Sequence, residues 1–322
     1  MKIFVTGASG FVGGAATRDL IAHGHTVRAM SRRDSSDRRI REMGAEPVRC
    51  DLESVSADHI GDADLVLHCA AFVEAWGPRE AWYKANVEGT RRLLAAARGA
   101  GIKRFIHIGT EAAIVSGQDI FEADESYPLA PNSPYPYCAT KAQAEQLVRA
   151  AGTEEFCTIV LRPRFIWGPG DTTLLPAIET MNASGGWAWV DHGRALTSST
   201  HIDNLVHAIS LALSAGKSGE AYFVLDDGAR TIKDMITGMA ASKGIVLPAR
   251  SIPRPVADRL GACCEWTWRT FNLKGTPPLT RHAAMVMSRN CVLVDDRARK
   301  ELGYAPVIDA AQGMKDLALK QP

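Results

Sequence analysis

The chain has 322 residues, of which 46% are hydrophobic and 23% are charged. A chain of this length can bury a large core and form one or two closely joined lobes. Its net charge of +1 gives no overall field that attracts nucleic acid, so no nucleic-acid partner is expected. No long uncharged apolar run appears, and the first residues predict a strand rather than a cleavable signal. We therefore expect no transmembrane segment and a cytoplasmic location.

The cysteine and histidine patterns argue against bound metal. The seven cysteines are irregularly spaced and form no CxxC pair, which is unlike a disulfide framework or a zinc site. Buried reduced thiols are expected instead. The nine histidines show no HExxH spacing, so no metal site is predicted.

The first segment joins a short apolar run to three spaced glycines. Residues 3–5 (Ile-Phe-Val) predict a buried strand, and a helix-compatible segment begins at residue 11. Glycines between the two allow a sharp turn, a close approach of backbone to a pyrophosphate and tight helix–strand packing. The helix N-terminus then binds the phosphates. The predicted contacts of this dinucleotide-binding turn are Gly7, Ser9, Gly10, Phe11, Val12 and Gly13.

Apolar runs alternate with helix-like segments over the first half of the chain. The apolar runs are 2–5, 26–30, 65–70, 104–109 and 157–161, and the helical segments are 11–23, 86–100 and 137–151. This rhythm predicts an α/β fold with a Rossmann-type, doubly wound parallel sheet. Residues 1–165 are predicted to form an NADP-binding Rossmann domain, to which segments near 195–225 return. Glycine and proline then punctuate shorter elements, so 166–322 is predicted to be mainly a smaller substrate-binding lobe.

The residues after the second predicted strand bear on the choice of cofactor. An acidic residue there would accept the ribose 2′-hydroxyl of NAD, whereas arginine accommodates the 2′-phosphate of NADP. The sequence is Ser31-Arg32-Arg33, with no acid until Asp34. Guanidinium groups bind phosphate through paired hydrogen bonds, so Arg32, and secondarily Arg33, favour NADP(H) over NAD(H).

Two further strand ends are candidate cofactor contacts. Asp51 and Leu52 follow a short third strand, where the carboxylate would bind the adenine amino group or would cap a helix. Ala70 and Ala71 end the fourth strand, where small residues suit either a nearby cofactor or simple tight packing.

Tyr137 and Lys141 are the candidate proton-transfer pair. They lie four residues apart on a predicted helix and therefore share one face. An ammonium near a phenol favours the phenolate and brings its pKa closer to neutrality. Hydride exchange with a carbonyl needs that proton.

Two polar residues are candidate partners of this pair. Thr110 ends the fifth predicted strand at the carboxyl edge of the sheet, where it would hydrogen-bond the reacting oxygen or would be an ordinary strand-end residue. Asn86 is either a structural residue of a helix or a polar anchor for a proton relay.

The chain resembles the extended short-chain dehydrogenase/reductase superfamily over about its whole length. The matching motifs, in order, are TGASGFVG, CDL, HCAA, NVEGT, the strand-end Thr110, YCATK, LRPRFIWGPGD and HIDN. The segments GTEA, PPLTR and RKELGYAP resemble the 3β-hydroxysteroid dehydrogenase branch, which also includes sterol-carboxylate dehydrogenases and 3-oxoalkanoate reductases.

The resemblance implies roles for individual residues. Tyr137 is implied as the catalytic acid/base, Lys141 as its activator and a ribose contact, and Thr110 as the carbonyl orienter. Asn86 matches the relay-supporting position, and Pro163 and Ile166 lie in a motif implied to contact the cofactor. Threonine replaces the commoner serine, and Ser31-Arg32 replaces the acid of NAD-using members.

The substrate side is marked by tryptophans and one amphipathic segment. The seven tryptophans lie outside the predicted sheet strands and either line an apolar pocket or belong to the core of the small lobe. Residues 257–271 have an apolar face at helical spacing; packing in the core is expected, with a lid or a peripheral membrane contact as the alternatives.

Three functions are weighed. The first is an NADP(H)-dependent oxidoreductase that interconverts a hydroxyl and a ketone on a lipophilic, steroid-like or long-chain small molecule. The second is a nucleotide-sugar epimerase or dehydratase with tightly bound NAD, and the third is a non-catalytic NADP-binding regulator. An intact set of Thr110, Tyr137 and Lys141 argues against the regulator. The oligomeric state is left open, with a homodimer as one alternative.

Overall fold

A computed structural model describes residues 1–319 and shows a seven-stranded, wholly parallel sheet in the order β12-β7-β5-β4-β1-β2-β3. Its strands are β1 (Lys2–Thr6), β2 (Thr26–Ser31), β3 (Glu46–Arg49), β4 (Leu65–His68), β5 (Arg104–Ile108), β7 (Cys157–Pro163) and β12 (Glu220–Val224).

Shorter strands form three further sheets. One has the order β13-β10-β15-β6, and two strand pairs are β11-β8 and β14-β9. These strands are β6 (Ile120–Ala123), β8 (Ile166–Trp167), β9 (Trp189–Val190), β10 (Leu196–Thr197), β11 (Thr200–His201), β13 (Arg230–Thr231), β14 (Ser251–Ile252) and β15 (Cys291–Leu293).

Helices connect the strands and cover the sheets. They are α1 (Phe11–Ala22), α2 (Asp34–Glu42), α3 (Ala57–Ile60), α4 (Arg79–Trp82), α5 (Gly89–Gly99), α6 (Pro136–Ala150), α7 (Leu174–Ala183), α8 (Ile202–Ala212), α9 (Ile232–Ala241), α10 (Arg254–Thr270), α11 (Arg281–Val286), α12 (Asp296–Leu302) and α13 (Ala310–Leu319). A π-helix spans Tyr83–Glu88, and 3₁₀ turns span Glu111–Ile114 and Asp191–Gly193.

The central sheet is buried on both faces. In β1, Ile3 and Val5 pack against α1 and α8 on one face, whereas Phe4 packs against α3 and α5 on the other. Successive side chains of a strand point to opposite faces, so a strand covered on both sides must be apolar throughout. This explains the continuous apolar runs in the sequence and confirms the predicted Rossmann-type sheet.

The predicted division at residue 165 stays a prediction. β12 pairs with β7 at the edge of the central sheet, so the chain comes back to this sheet well after that position. Of the predicted lobe 166–322, residues 320–322 lie outside the described part.

Two expectations are wrong. Helix α10 is not packed in the core, because Ala257 and Gly261 are its buried residues and most of its length is exposed. Cys263 on the same helix is exposed rather than buried. No helix within residues 1–319 is long and apolar enough to cross a membrane.

Candidate active site

The turn between β1 and α1 is packed too tightly for larger residues. Gly7 has φ +75°, and a Cβ there would lie 2.8 Å from the amide nitrogen of Ala70 at the end of β4. A Cβ on Gly13 would lie 2.3 Å from the carbonyl oxygen of Gly7. The strand end, the turn and the helix are therefore held in backbone contact, as the glycine spacing predicted.

The start of α1 is suited to an anion. Gly10 is the N-cap residue and provides no side-chain cap, so amides of the first turn have no intrahelical partner. Gly10 itself is exposed, with Ser9, Phe11 and Val12 partly exposed around it. Amide donors and the positive end of the helix dipole fit a pyrophosphate at this place.

Arg32 and Arg33 are both exposed directly after β2. The acids that follow them, Asp34 and Asp37, are both bound by Arg49 from the end of β3. Arg32 also lies close enough to Asp51 to help lower the pKa of that carboxyl, although hydrogen bonds from Ser54 are the main cause. The guanidinium of Arg32 is thus beside the turn that follows β3.

Asp51 acts as a cap for that turn. Its Oδ1 accepts hydrogen bonds from the backbone amides of Glu53 and Ser54, at 2.9 and 2.8 Å, and from the Ser54 hydroxyl at 2.8 Å. Leu52 packs against Gly89 at the start of α5. A contact between Asp51 and adenine stays a prediction.

The end of β4 lies against the end of β1. The amide of Ala70 donates to Thr6 Oγ1 at 3.1 Å, and Ala71 is exposed beside it. Thr6 Oγ1 also bonds Nδ1 of His68 at 2.7 Å. Burial lowers the pKa of His68 to about 3, so this imidazole is neutral at physiological pH.

Thr110 and Tyr137 meet at the carboxyl edge of β5. The hydroxyl of Thr110 lies near the phenol of Tyr137, which is half-buried near the start of α6. Burial is the main cause that raises the pKa of Tyr137, and the carboxylate of Glu111 adds to it. The predicted substrate carbonyl between Thr110 and Tyr137 stays a prediction.

The Thr110 hydroxyl is bonded to the two residues that follow it. Its hydroxyl donates to Glu111 Oε2 at 2.7 Å and accepts from the backbone amide of Ala112 at 3.2 Å. A hydroxyl has one hydrogen and two acceptor lone pairs, so these bonds use the hydrogen and one lone pair of Thr110. The hydrogen of Thr110 is therefore engaged by Glu111.

A buried ion pair fixes the position of Glu111. Its Oε1 accepts from Nη1 of Arg164 at 2.6 Å, and Nε of Arg164 donates to Thr197 Oγ1 at 2.8 Å. The side chains of Glu111 and Arg164 are 12% and 4% exposed. A buried pair with further hydrogen bonds holds its geometry well, so Glu111 is a rigid acceptor for Thr110.

Lys141 lies one helical turn after Tyr137 and is buried. Its Nζ donates to the carbonyl oxygen of Ile108 at 2.9 Å and to Nε2 of His107 at 3.3 Å. Burial lowers the pKa of Lys141 to about 8. Burial also lowers the pKa of His107 well below its usual range, so its imidazole is neutral. The neutral ring can accept the hydrogen bond from Lys141. One N–H of Lys141 remains for a further partner.

Asn86 is buried in the π-helix that precedes α5. Its Oδ1 accepts from the amide of Phe72 at 2.7 Å, and its Nδ2 donates to the carbonyl of Phe72 and to Thr140 Oγ1. The side chain thus joins the segment after β4 to α6. These contacts match a structural role, and the relay role stays a prediction.

Pro163 and Ile166 flank the crossover out of the central sheet. Pro163 ends β7 and pairs in register with Val224, while Ile166 opens the short strand β8, which pairs with Thr200. Between them Phe165 has a positive φ of 40°, which turns the chain sharply. Their predicted contact with the cofactor has no direct support in these interactions.

A cleft of about 240 Å³ opens beside Tyr137. Its walls come from the segment after β4, the start of α6, helix α10 and the start of α11. Aromatic side chains supply much of this lining, namely Trp76, Trp82, Tyr135, Tyr137, Trp266 and His282. The charged residues of the lining are Glu74, Arg79, Glu265, Arg269 and Arg281.

Known proteins resemble this chain over its full length. The NAD dependent epimerase/dehydratase family model matches residues 3–224. The chain belongs to that family. A 4-hydroxy-2-methyl-3-oxo-4-farnesyl-3,4-dihydroquinoline-1-oxide ketoreductase of Stigmatella aurantiaca is 37% identical, over 100% of this chain and 97% of the relative. A 2-alkyl-3-oxoalkanoate reductase of Stenotrophomonas maltophilia is 35% identical, over 98% of each chain.

The fold of the epimerase/dehydratase family is also seen in solved structures. A dTDP-glucose 4,6-dehydratase from Streptomyces venezuelae with NAD bound has a TM-score of 0.78 and 23% identity, over 99% of this chain and 96% of the other. The predicted membership of the extended dehydrogenase/reductase superfamily is confirmed. The protein is an NAD(P)-dependent enzyme of this superfamily.

Several residues of this epimerase/dehydratase site escaped sequence reasoning. Arg164 and His107 reach the site only through the fold, from β7 and β5, and no spacing rule connects them to Tyr137. His282 lies with its ring centroid 5.9 Å from that of Tyr137, although it is far along the chain. Burial lowers the pKa of His282 to about 4. Glu111, next to Thr110, was the one residue whose position in the sequence was a usable signal.

Proposed function

We propose that the protein is an NADP(H)-dependent oxidoreductase that interconverts a ketone and a hydroxyl on a bulky lipophilic substrate. The observation that carries this proposal is the position of Tyr137, whose phenol lies near Thr110 and borders a cleft with several aromatic walls. Aromatic walls suit a lipophilic ligand, and the charged residues of the lining would orient it. The two curated relatives described above are named as reductases of a farnesyl quinoline and of alkylated oxoalkanoates.

In this proposal the nicotinamide cofactor supplies a hydride for reduction or accepts one for oxidation. Tyr137 donates its proton to the carbonyl oxygen during reduction, and the phenolate accepts the hydroxyl proton in the reverse direction. Glu111 holds the Thr110 hydroxyl in place beside Tyr137. The Lys141 ammonium stabilises the phenolate and uses its remaining N–H for the ribose.

Cofactor preference is proposed from the residues after β2. The acids that follow β2, Asp34 and Asp37, are both bound by Arg49. They are therefore less available to accept a hydrogen bond from the ribose 2′-hydroxyl of NAD. Arg32 and Arg33 are exposed and available to a 2′-phosphate. The binding sites for NAD and NADP otherwise share the Gly7 turn and the start of α1.

The proposal is tested by the specificity constant for NADPH oxidation across ketones of increasing hydrocarbon size. Apolar burial contributes roughly 25 cal/mol per Å², so kcat/KM is expected to rise with size until the cleft is filled. Small polar ketones are expected to be poor substrates. No turnover of any ketone in the series would refute the proposal.

A nucleotide-sugar epimerase or dehydratase is the second candidate. The observation that favours it is a group of three arginines in the cleft, Arg79, Arg269 and Arg281, which would bind a substrate diphosphate. Two glutamates in the same lining reduce their net charge, and Arg269 is stacked 5.0 Å from the ring of Trp76. Nucleotide sugars therefore belong in the same assay, together with an absorbance test for tightly bound NAD.

A further inference from the structure

Helix α10 and the turn after it carry an exposed apolar surface. Its members, which we call the α10 surface, are Val256 (41% exposed), Leu260 (46%), Trp266 (62%), Phe271 (63%) and Leu273 (43%). Within the helix, Val256, Leu260 and Cys263 follow the i, i+4, i+7 spacing of one helical side. The helix packs through a neighbouring side, which carries Ala257 and Gly261. Folding alone gives no reason to expose large apolar groups in this way.

The charges around the α10 surface are mainly positive. Arg259, Arg269 and Lys274 are exposed in the same stretch. The acids of the helix are engaged elsewhere, since Asp258 pairs with Arg289 at 2.7 Å and Glu265 accepts from the backbone amide of Arg281 at 2.8 Å. An exposed apolar stripe bordered mainly by cations attracts a surface that is apolar inside and anionic outside.

The α10 surface is continuous with the wall of the active-site cleft. Ala262, Glu265, Trp266 and Arg269 of the same helix line the cleft that reaches Tyr137. Trp266 belongs to both, because it lines the cleft and is still largely exposed. A group that covers α10 is therefore placed at the mouth of the cleft.

We propose that the α10 surface binds in the headgroup region of a membrane leaflet that contains anionic lipid. The helix would lie in the plane of the membrane without crossing it, because charged residues interrupt it at Asp258, Arg259 and Glu265. Tryptophan and phenylalanine suit this depth, since their rings are apolar and tolerate the polar boundary. The inference draws on the proposed function only in that a lipophilic substrate would enter the cleft from the bilayer.

A second copy of the chain fits the α10 surface less well. A two-fold interface would bring the same patch of both copies together. The cations Arg259, Arg269 and Lys274 would then face their own counterparts. Anionic lipid headgroups neutralise them instead, and this charge complementarity decides between the two occupants.

The test measures sedimentation of the full-length protein with vesicles, without cofactor or substrate. Phosphatidylcholine vesicles with 30% phosphatidylglycerol (about one lipid in three anionic) are compared with pure phosphatidylcholine. Leu260→Ser with Phe271→Ser is expected to lower binding to the anionic vesicles by roughly tenfold or more, because two large apolar groups are lost. The matched control is Val246→Ser with Phe121→Ser, which removes an 89% and a 60% exposed apolar residue elsewhere.

The outcomes separate the alternatives. Binding that needs phosphatidylglycerol, weakens with added salt and is lost in the Leu260/Phe271 variant but kept in the control supports the proposal. Equal binding by variant and control, or no binding by the wild-type protein, overturns it. A loss of dimer in the variant by light scattering, with vesicle binding unchanged, overturns it in favour of a second copy. Leu260 and Phe271 do not line the cleft. Turnover of a water-soluble ketone by the Leu260/Phe271 variant therefore tests the proposed function independently of membrane binding.

Discussion

The hydroxyl of Thr110 donates to the carboxylate of Glu111 at 2.7 Å, so its hydrogen points away from the cleft. In a simple sequence-based picture, this hydroxyl is free to donate to a substrate carbonyl. The structure instead engages this hydrogen with Glu111, whose carboxylate is held by Arg164. The state of Glu111 therefore controls both the orientation of Thr110 and the charge near the phenol.

Glu111→Gln is expected to shift the pH profile of hydroxyl oxidation to lower pH. The Glu111 carboxylate helps to raise the pKa of Tyr137, so a neutral amide in its place lowers that pKa and makes the phenolate available earlier. The measurement is kcat/KM for alcohol oxidation from pH 6 to 10 (roughly neutral to the usual phenol pKa). The free energy of unfolding of Glu111→Gln should also fall by about 3 kcal/mol, because the Arg164 guanidinium stays buried without the Glu111 carboxylate.

Glu125→Gln is the control for that variant. Glu125 is likewise buried, and it accepts from the backbone amide of Phe223 at 2.8 Å, outside the cleft lining. It should lose stability without moving the pH profile. An unchanged profile in Glu111→Gln would contradict the role assigned to this carboxylate.

Tyr137→Phe is expected to lower turnover by roughly 10³-fold, since a positioned general acid contributes about 10²–10⁴. It removes the transferable proton and very little volume, so the dissociation constant for cofactor should stay nearly the same. The control is Tyr135→Phe, because Tyr135 also lines the cleft and contacts His282 but is not the proposed donor. Single-turnover rates and cofactor titration by fluorescence would check both variants, and retained turnover in Tyr137→Phe would rule out the proposed donor.

Arg32→Ala is expected to weaken NADPH use far more than NADH use. A charge-assisted contact with the 2′-phosphate is worth roughly 1.5–3 kcal/mol, which is roughly a 10- to 150-fold change in kcat/KM. Arg39→Ala is the control, because Arg39 is exposed on α2, two turns further along. Similar losses with both cofactors would mean that Arg32 does not select NADP.

Local pattern was sufficient to predict the central sheet but not the packing of the site. The strands that begin at residues 2, 26, 104 and 157 are buried on both faces, so most of their residues are apolar and the runs are easy to recognise. Tyr137 and Lys141 were found because one helix positions both. Arg164 and His107 were missed, because their contacts depend on three-dimensional packing between distant strands. The amphipathic pattern of α10 was recognised, yet the sequence could not tell that its apolar side faces outward.

Gly13→Ala is expected to destabilise the fold by about 3 kcal/mol and to weaken cofactor binding. Its Cβ would lie 2.3 Å from the Gly7 carbonyl oxygen, so α1 would have to move away from the turn. Gly24→Ala is the control: Gly24 has φ +80° but no atom within 4 Å of the added Cβ, so only backbone strain of about 1 kcal/mol is expected. Urea denaturation and cofactor titration of the two variants would measure the difference. Equal destabilisation would show that steric contact at Gly13 is unimportant.

Lys141→Met is expected to abolish activity and yet stabilise the protein at pH 7. Burial lowers the pKa of Lys141 from 10.5 to about 8, so keeping it charged in the folded state is unfavourable by about 3 kcal/mol. Between pH 8 and 10.5 the unfolded chain still binds this proton while the folded chain has released it, so the wild-type free energy of unfolding rises with pH. The advantage of the variant should therefore shrink over that window. Urea denaturation of both proteins at pH 7 and at about pH 10 tests this. The two proteins share all other titrating groups, so a pH-dependent difference in their free energies of unfolding comes from Lys141. If the difference in free energy of unfolding were the same at both pH values, Lys141 would have an ordinary pKa. Burial would then not disfavour the charged form that is proposed to assist Tyr137.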